Sequence, residues 1–158
     1  MANTQSMCTS FLGELMTATH NFGTAPIRAA STADTFRGAL YLASATIDAS
    51  TTVYSGTGEV SGAGYSAGGV VVTNATPPTA TNASTTAGVA YWTPSSSLTY
   101  TSVTLTTAFD AVLIYNASQS NKAVSVHTFG SQTITAGTFT LTMPANTTST
   151  ALLRLATT

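Results

Sequence analysis

Charge is what this chain has least of. Four Lys or Arg and five Asp or Glu are its only ionised side chains in 158 residues, 6% of the sequence, where an ordinary soluble domain carries about a quarter. Proton-transfer chemistry, which needs acids and bases held together, has little to draw on. A formal net charge of −1 and the lack of any Lys/Arg cluster argue against nucleic acid, whose binding rests on phosphate neutralisation. The single cysteine, Cys8, cannot close an internal disulfide, so oxidative export gets no support. No apolar run approaches the ~18 residues of a membrane span. The opening Met1-Ala2-Asn3-Thr4-Gln5-Ser6 lacks the basic and apolar regions of a secretory signal. The expectation is a protein made and folded in the cytosol, with neither nucleic acid nor membrane as partner.

Hydroxyl groups stand where the charges are missing. Thirty-four threonines and eighteen serines make up a third of the chain, and a hydrophobic content of 43% excludes wholesale disorder. At this length one domain, residues 1–158, is expected, burying roughly 70% of its unfolded surface without disulfide or metal. A neutral, hydroxyl-rich exterior costs less to desolvate than an ionic one, which suits a protein that rests against other protein.

Periodicity changes once along the chain. Met7/Cys8, Phe11/Leu12 and Leu15/Met16 recur four residues apart, which predicts a short helix over Met7–Thr19 within an N-terminal arm, residues 1–35. From Phe36 the period is two: Phe36, Gly38, Leu40 and Leu42 alternate with Arg37, Ala39, Tyr41 and Ala43. Further strands are predicted at Gly58–Ser61, Val70–Asn74, Val89–Trp92, Ser102–Thr107, Ala111–Asn116, Ala123–Phe129, Gln132–Ala136, Thr138–Met143 and Ala151–Leu155. The run Ala111-Val112-Leu113-Ile114-Tyr115 is apolar throughout and should be covered on both faces. Asn116–Asn121 and Thr135-Ala136-Gly137 carry turn chemistry. Thr73–Gly88, low in complexity with tandem prolines, reads as an exposed loop. Many short strands after one helix indicate a mostly β protein, an antiparallel β-sandwich or jelly roll with one short N-terminal helix.

Each chemical motif has a plainer explanation. Gly64-Tyr65-Ser66-Ala67-Gly68 matches the G-x-S-x-G nucleophile elbow, and Asp110 and His127 follow in hydrolase order. The elbow requires a helix after the serine, whereas Gly69-Val70-Val71-Val72 reads as a strand, so a Gly-rich turn is the reading adopted. The overlapping Gly62–Ala67 match to the dinucleotide pattern G-x-G-x-x-A lacks that helix too. His20 and His127 have no metal-ligand spacing with Cys8 or a carboxylate, and His127 is expected as a solvated or hydrogen-bonded strand residue. Glu14, Asp34, Asp48, Glu59 and Asp110 are scattered, with nothing to mark a glycosidase pair. Asn-x-Ser/Thr triplets at Asn74, Asn82, Asn116 and Asn146 barely exceed chance and are not read as glycan acceptors. No catalytic, metal or cofactor residue is assigned. Tyr54 and Tyr65, in Gly/Ser-rich loops, are candidates for partner contact, as is the helical stripe of Phe11, Leu12, Leu15 and Met16, with internal core as its equal alternative.

The order of these blocks carries a resemblance. Asp34-Thr35-Phe36-Arg37-Gly38-Ala39-Leu40-Tyr41, then Gly58-Glu59-Val60-Ser61-Gly62-Ala63-Gly64-Tyr65-Ser66-Ala67-Gly68-Gly69, then Leu113-Ile114-Tyr115-Asn116 resemble the small virion proteins encoded beside the major capsid protein in many tailed phages, notably short-tailed ones. Those chains typically read F-K-x-A-L-Y and G-E-V-x-G-x-G-Y-x-x-G-G and often open on a short helix with a Cys-x-x-Phe-like step, here Cys8 to Phe11. Arg37-Gly38 departs from the usual Lys-Ile. The resemblance implies a jelly-roll head decoration, or cement, protein: a structural virion component on the capsid exterior. Its partners would be the major capsid protein and further copies of itself, as dimer or trimer. The alternatives are a phage tail or receptor-binding component, and a carbohydrate-binding or adhesin module.

Overall fold

The computed structural model describes residues 3–16, 19–20, 22, 33–73, 78–80 and 89–156. They form a mostly β protein with two antiparallel sheets. The larger sheet has the order β1-β7-β6-β2-β3, built from β1 (Ser6–Met7), β7 (Lys122–Leu141), β6 (Leu98–Asn116), β2 (Phe36–Leu42) and β3 (Val70–Val72). The smaller has the order β4-β5-β8, from β4 (Thr79–Ala80), β5 (Val89–Trp92) and β8 (Leu153–Ala156).

The expected N-terminal helix over Met7–Thr19 is corrected. Ser6 and Met7 pair with Val126 and Ser125 as β1, and only Thr9–Met16 is helical, as α1. Gly13, Thr9 and Ser10 are weak helix formers that give a short segment little intrinsic support. The expected loop over Thr73–Gly88 falls partly outside the described residues, but Thr79–Ala80 pairs with Tyr91 and Ala90. Gly58–Ser61 is no full strand: Glu59 makes an isolated bridge to Tyr41.

The largest correction concerns the second half of the chain. The five short strands expected between Ser102 and Met143 merge into β6, of 19 residues, and β7, of 20 residues, joined at the Asn116–Asn121 turn. Thr135-Ala136-Gly137 is not a hairpin turn. Ala136 has φ 46° inside β7, and the β6–β7 register slips at several points. An extra residue on one strand bends a ladder without ending it.

The bend is large. Phe129 and Phe139 both lie on β7, yet their ring centroids are 5.3 Å apart, where ten residues of straight strand would separate them by roughly 33 Å. Phe109 lies 6.0 Å from the first and 5.1 Å from the second. The outer half of the hairpin therefore doubles back over the inner half. On the other strand, Tyr100 reaches β2 and donates to Gly38 O at 2.8 Å. Inside the fold lie Leu98, Val103, Leu105, Phe109, Val112 and Leu113, all at 1% exposure or less. Ala111–Asn116 is buried on both faces, as its unbroken apolar run requires. Trp92, at the end of β5, joins the smaller sheet to the larger through Phe22 (4.9 Å between centroids) and Phe36 (6.1 Å).

Gly69 shows how tightly β3 enters. It has φ +68°, and a Cβ there would lie 1.7 Å from Gly38 O. Gly69→Ala should cost about 3 kcal/mol or more in urea unfolding. Gly130, where a Cβ meets nothing within 4 Å, should accept Ala within about 0.5 kcal/mol.

Candidate functional site

Residues 52–69 form a strap drawn across the larger sheet. Its backbone pairs at both ends: Ala123 N–H donates to Thr52 O (3.0 Å), Tyr54 N–H to Asn121 O (2.9 Å), Val60 N–H to Leu40 O (3.0 Å) and Thr104 N–H to Ala63 O (2.8 Å). One carboxylate gathers the strap. Glu59 accepts from Tyr54 Oη (2.6 Å), Tyr65 Oη (2.7 Å) and Gly68 N–H (2.7 Å). In the next peptide group, the Gly68 carbonyl accepts from Arg37 Nε (3.0 Å) and Tyr115 Oη (2.9 Å). Arg37 Nη2 donates to Gly69 O. Tyr65 Oη also accepts from Leu40 N–H at 3.0 Å, and the Tyr54 ring stacks on Tyr115 at 4.6 Å.

This network fixes the protonation of the phenols. Burial first, then the hydrogen bond to Glu59 and its charge, raises Tyr54 and Tyr65 above the ordinary phenol range. Tyr41, which donates to Ser55 O, is pushed up to about 12 by burial. All three remain donors at neutral pH. Tyr54 and Tyr65, expected as partner contacts, are half-buried with their hydroxyls turned inward onto Glu59.

Ser66 sits at the exposed tip of the strap, in a turn closed by Gly69 N–H on Ser66 O at 2.9 Å. Strand β3 follows it, not a helix. Asp110 accepts from Asn3 Nδ2 (2.6 Å), and His127 Nε2 lies 2.9 Å from Ser125 Oγ. No hydrogen bond joins Ser66, Asp110 and His127 to one another.

The helical stripe divides. Phe11 is buried at 2% exposure, edge-on to His20 at 4.8 Å. Leu15 lines an apolar groove of about 120 Å³ with Met7, Trp92, Leu153 and Leu155. The side chains of Leu12 and Met16 lie outside the described residues. Leu155 is 43% exposed at the groove and Val71 56% exposed on β3.

A part-buried polar cluster had no local signal in the sequence. Glu14 on α1 accepts from Lys122 Nζ (2.6 Å) and from His20 Nε2 (2.7 Å). Asn116 Nδ2 donates to His20 Nδ1 (3.0 Å) and to Asp34 Oδ2 (2.8 Å). Full burial of Asn116 also removes it as a glycan acceptor. Burial lowers the His20 pKa against the pull of Glu14. The Cys8 thiol, fully buried, is pushed up to about 12 by burial, then by Asp48 and Glu14, so it stays a protonated, inert thiol.

Comparison with protein-family models, curated proteins and solved structures finds no match for this chain.

Two outcomes follow. Glu59→Gln leaves one acceptor oxygen for three donors and should lower stability by about 2–4 kcal/mol in denaturant unfolding. In acid, His127 is held down to about 4 by burial, and His20 is lowered as well. The unfolded chain takes up protons below about pH 6.5 while the folded chain does not. Stability should therefore be complete above that pH and fall toward pH 4. His127 is only half-buried, which holds its share of the loss to about 2 kcal/mol. His127→Gln should flatten that part of the pH–stability curve.

Proposed function

We propose that this chain is a structural subunit of a tailed-phage virion, a head decoration or cement protein that binds the outside of the capsid and stabilises contacts between major capsid subunits. The observation that carries this reading is where the charges are not. No Asp, Glu, Lys or Arg occurs from Val60 to Phe109 or from Ala123 to Leu153. Those stretches include the exposed outer half of the β6–β7 hairpin, whose surface is threonine, serine and glutamine. Such a surface loses little when water is removed from it, whereas each unpaired ion buried would cost several kcal/mol. The resemblance in the Gly58–Gly69 and Asp34–Tyr41 blocks favours the same role. Under this reading the two sheets are a jelly-roll-type sandwich, and copies associate as dimers or trimers at capsid symmetry axes.

The mechanism is thermodynamic linkage: a protein that binds the assembled shell and not its separated subunits stabilises that shell by its own binding free energy. Purified chain added to capsids lacking it should occupy them and raise their melting temperature. Binding should change less than about threefold between 50 and 500 mM NaCl, because contacts without exposed charge are barely screened. Absence of occupancy, or occupancy with no rise in melting temperature, sinks the proposal.

A further inference from the structure

A pocket of about 270 Å³ opens where the strap meets the doubled-back end of β6. Its walls include Arg37, Tyr65, Ser66, Thr99, Tyr100 and Thr101. The rings of Tyr65 and Tyr100 stack at 6.0 Å as one wall. Their hydroxyls are committed elsewhere, to Glu59 and to Gly38 O. Ser66, Thr99 and Thr101 are exposed at this pocket, and their hydroxyls make no hydrogen bond among the described residues.

The pocket holds one of only four Lys or Arg in the chain. Arg37 is half-buried, and its guanidinium rests on the Gly68 and Gly69 carbonyls with the Tyr115 hydroxyl beside it. No carboxylate lies within 4 Å of it among the described residues; both ion pairs there belong to Glu14. Glu59, the one acid of the strap, lies on the far side of residue Gly68 and is occupied by two phenols and an N–H. A guanidinium without a counter-charge, ringed by unengaged hydroxyl donors and backed by aromatic rings, is the chemistry of an anion site.

We propose that this pocket receives a carboxylate, the side chain of an Asp or Glu or a chain-terminal carboxyl group, presented by the protein subunit against which this chain rests. The inference deepens the decoration reading and rests on it for the identity of the partner. It gives an otherwise neutral interface one charged contact to set register. A single pair closed off from solvent is little screened, so the weak salt dependence expected of the whole interface stands.

The test uses the full-length chain labelled with ¹⁵N and titrated with acetate, chloride holding the ionic strength constant. The Arg37 Nε–H signal and the Ser66 and Thr101 amides should shift along one saturable curve, half-complete on the order of 10 mM, as befits a lone carboxylate with few other contacts. A linear drift that chloride reproduces overturns the proposal. Tighter saturation by inorganic phosphate overturns it too, by assigning the pocket to a phosphorylated ligand. On capsid particles, Arg37→Gln should weaken binding about 10- to 100-fold, and wild-type affinity in that variant counts against the site. Because Arg37→Gln also loosens the strap, the double variant Ser66→Ala/Thr101→Val is the companion: these exposed side chains hold no part of the fold, and acetate should saturate about threefold more weakly. Unchanged acetate binding there is a negative result for the pocket. A wild-type chain that saturates with acetate but ignores particles removes the decoration reading alone.

Discussion

The doubling-back of the β6–β7 hairpin is the constraint on which the other elements depend. One end of the hairpin supplies the central strands on which β2 and β1 pair, and the other end lies over them as a second layer. Phe109, Phe129 and Phe139 form the hinge of this arrangement, where edge-to-face ring contacts reward a bent ladder over a straight one. Residues 52–69 then bind both halves of the hairpin, through Ala123 near one end and Thr104 near the other. Without the bend, neither the strap nor the pocket beneath it would exist.

Six of the few charges tie the fold together. Glu14 ties α1 to Lys122 and His20, Asp34 ties the entry of β2 to Asn116, Asp110 holds Asn3, and Glu59 with Arg37 grips residue Gly68 from both sides. All but Glu59, whose partners lie on its own strap, join segments distant in sequence, where a charge-assisted hydrogen bond fixes geometry more sharply than apolar contact does. The outer half of the β6–β7 hairpin, free of charge, is left to hydroxyl groups. Ion-poor outer hairpin and ion-tied joints are two sides of one allocation, and the proposed carboxylate pocket is the place where they meet.

The Gly58–Gly69 block shows how a motif can be misread for its chemistry. Its spacing imitates a nucleophile elbow, yet its glycines mark close backbone approach: a Cβ at Gly64 would meet Ser102 O at 2.1 Å, and one at Gly69 would meet Gly38 O at 1.7 Å. Its Tyr65, like Tyr54 just before the block, turns its hydroxyl onto the Glu59 carboxylate between them. Ser66 is left at the tip of a turn, and its only assigned part is as one hydroxyl on the rim of a pocket.

What the sequence determined alone was what repeats over short range. Alternation of apolar residues marked β2, the unbroken Ala111–Tyr115 run marked the most deeply covered strand, and Asn116–Asn121 marked a hairpin turn, because side-chain period and turn chemistry are local properties. The shortage of ions, and the class of surface it produces, was legible from composition. Tertiary structure alone decided that five strand-like segments would be two bent strands, since a bulge and a turn draw on the same small and polar residues and differ only in what the chain packs against afterwards. It alone brought Glu14 to Lys122, 108 residues away, and brought Arg37 to one pocket with Tyr65 and Tyr100. Contacts between distant segments leave no periodic trace in the chain; they come into being when the hairpin folds over itself.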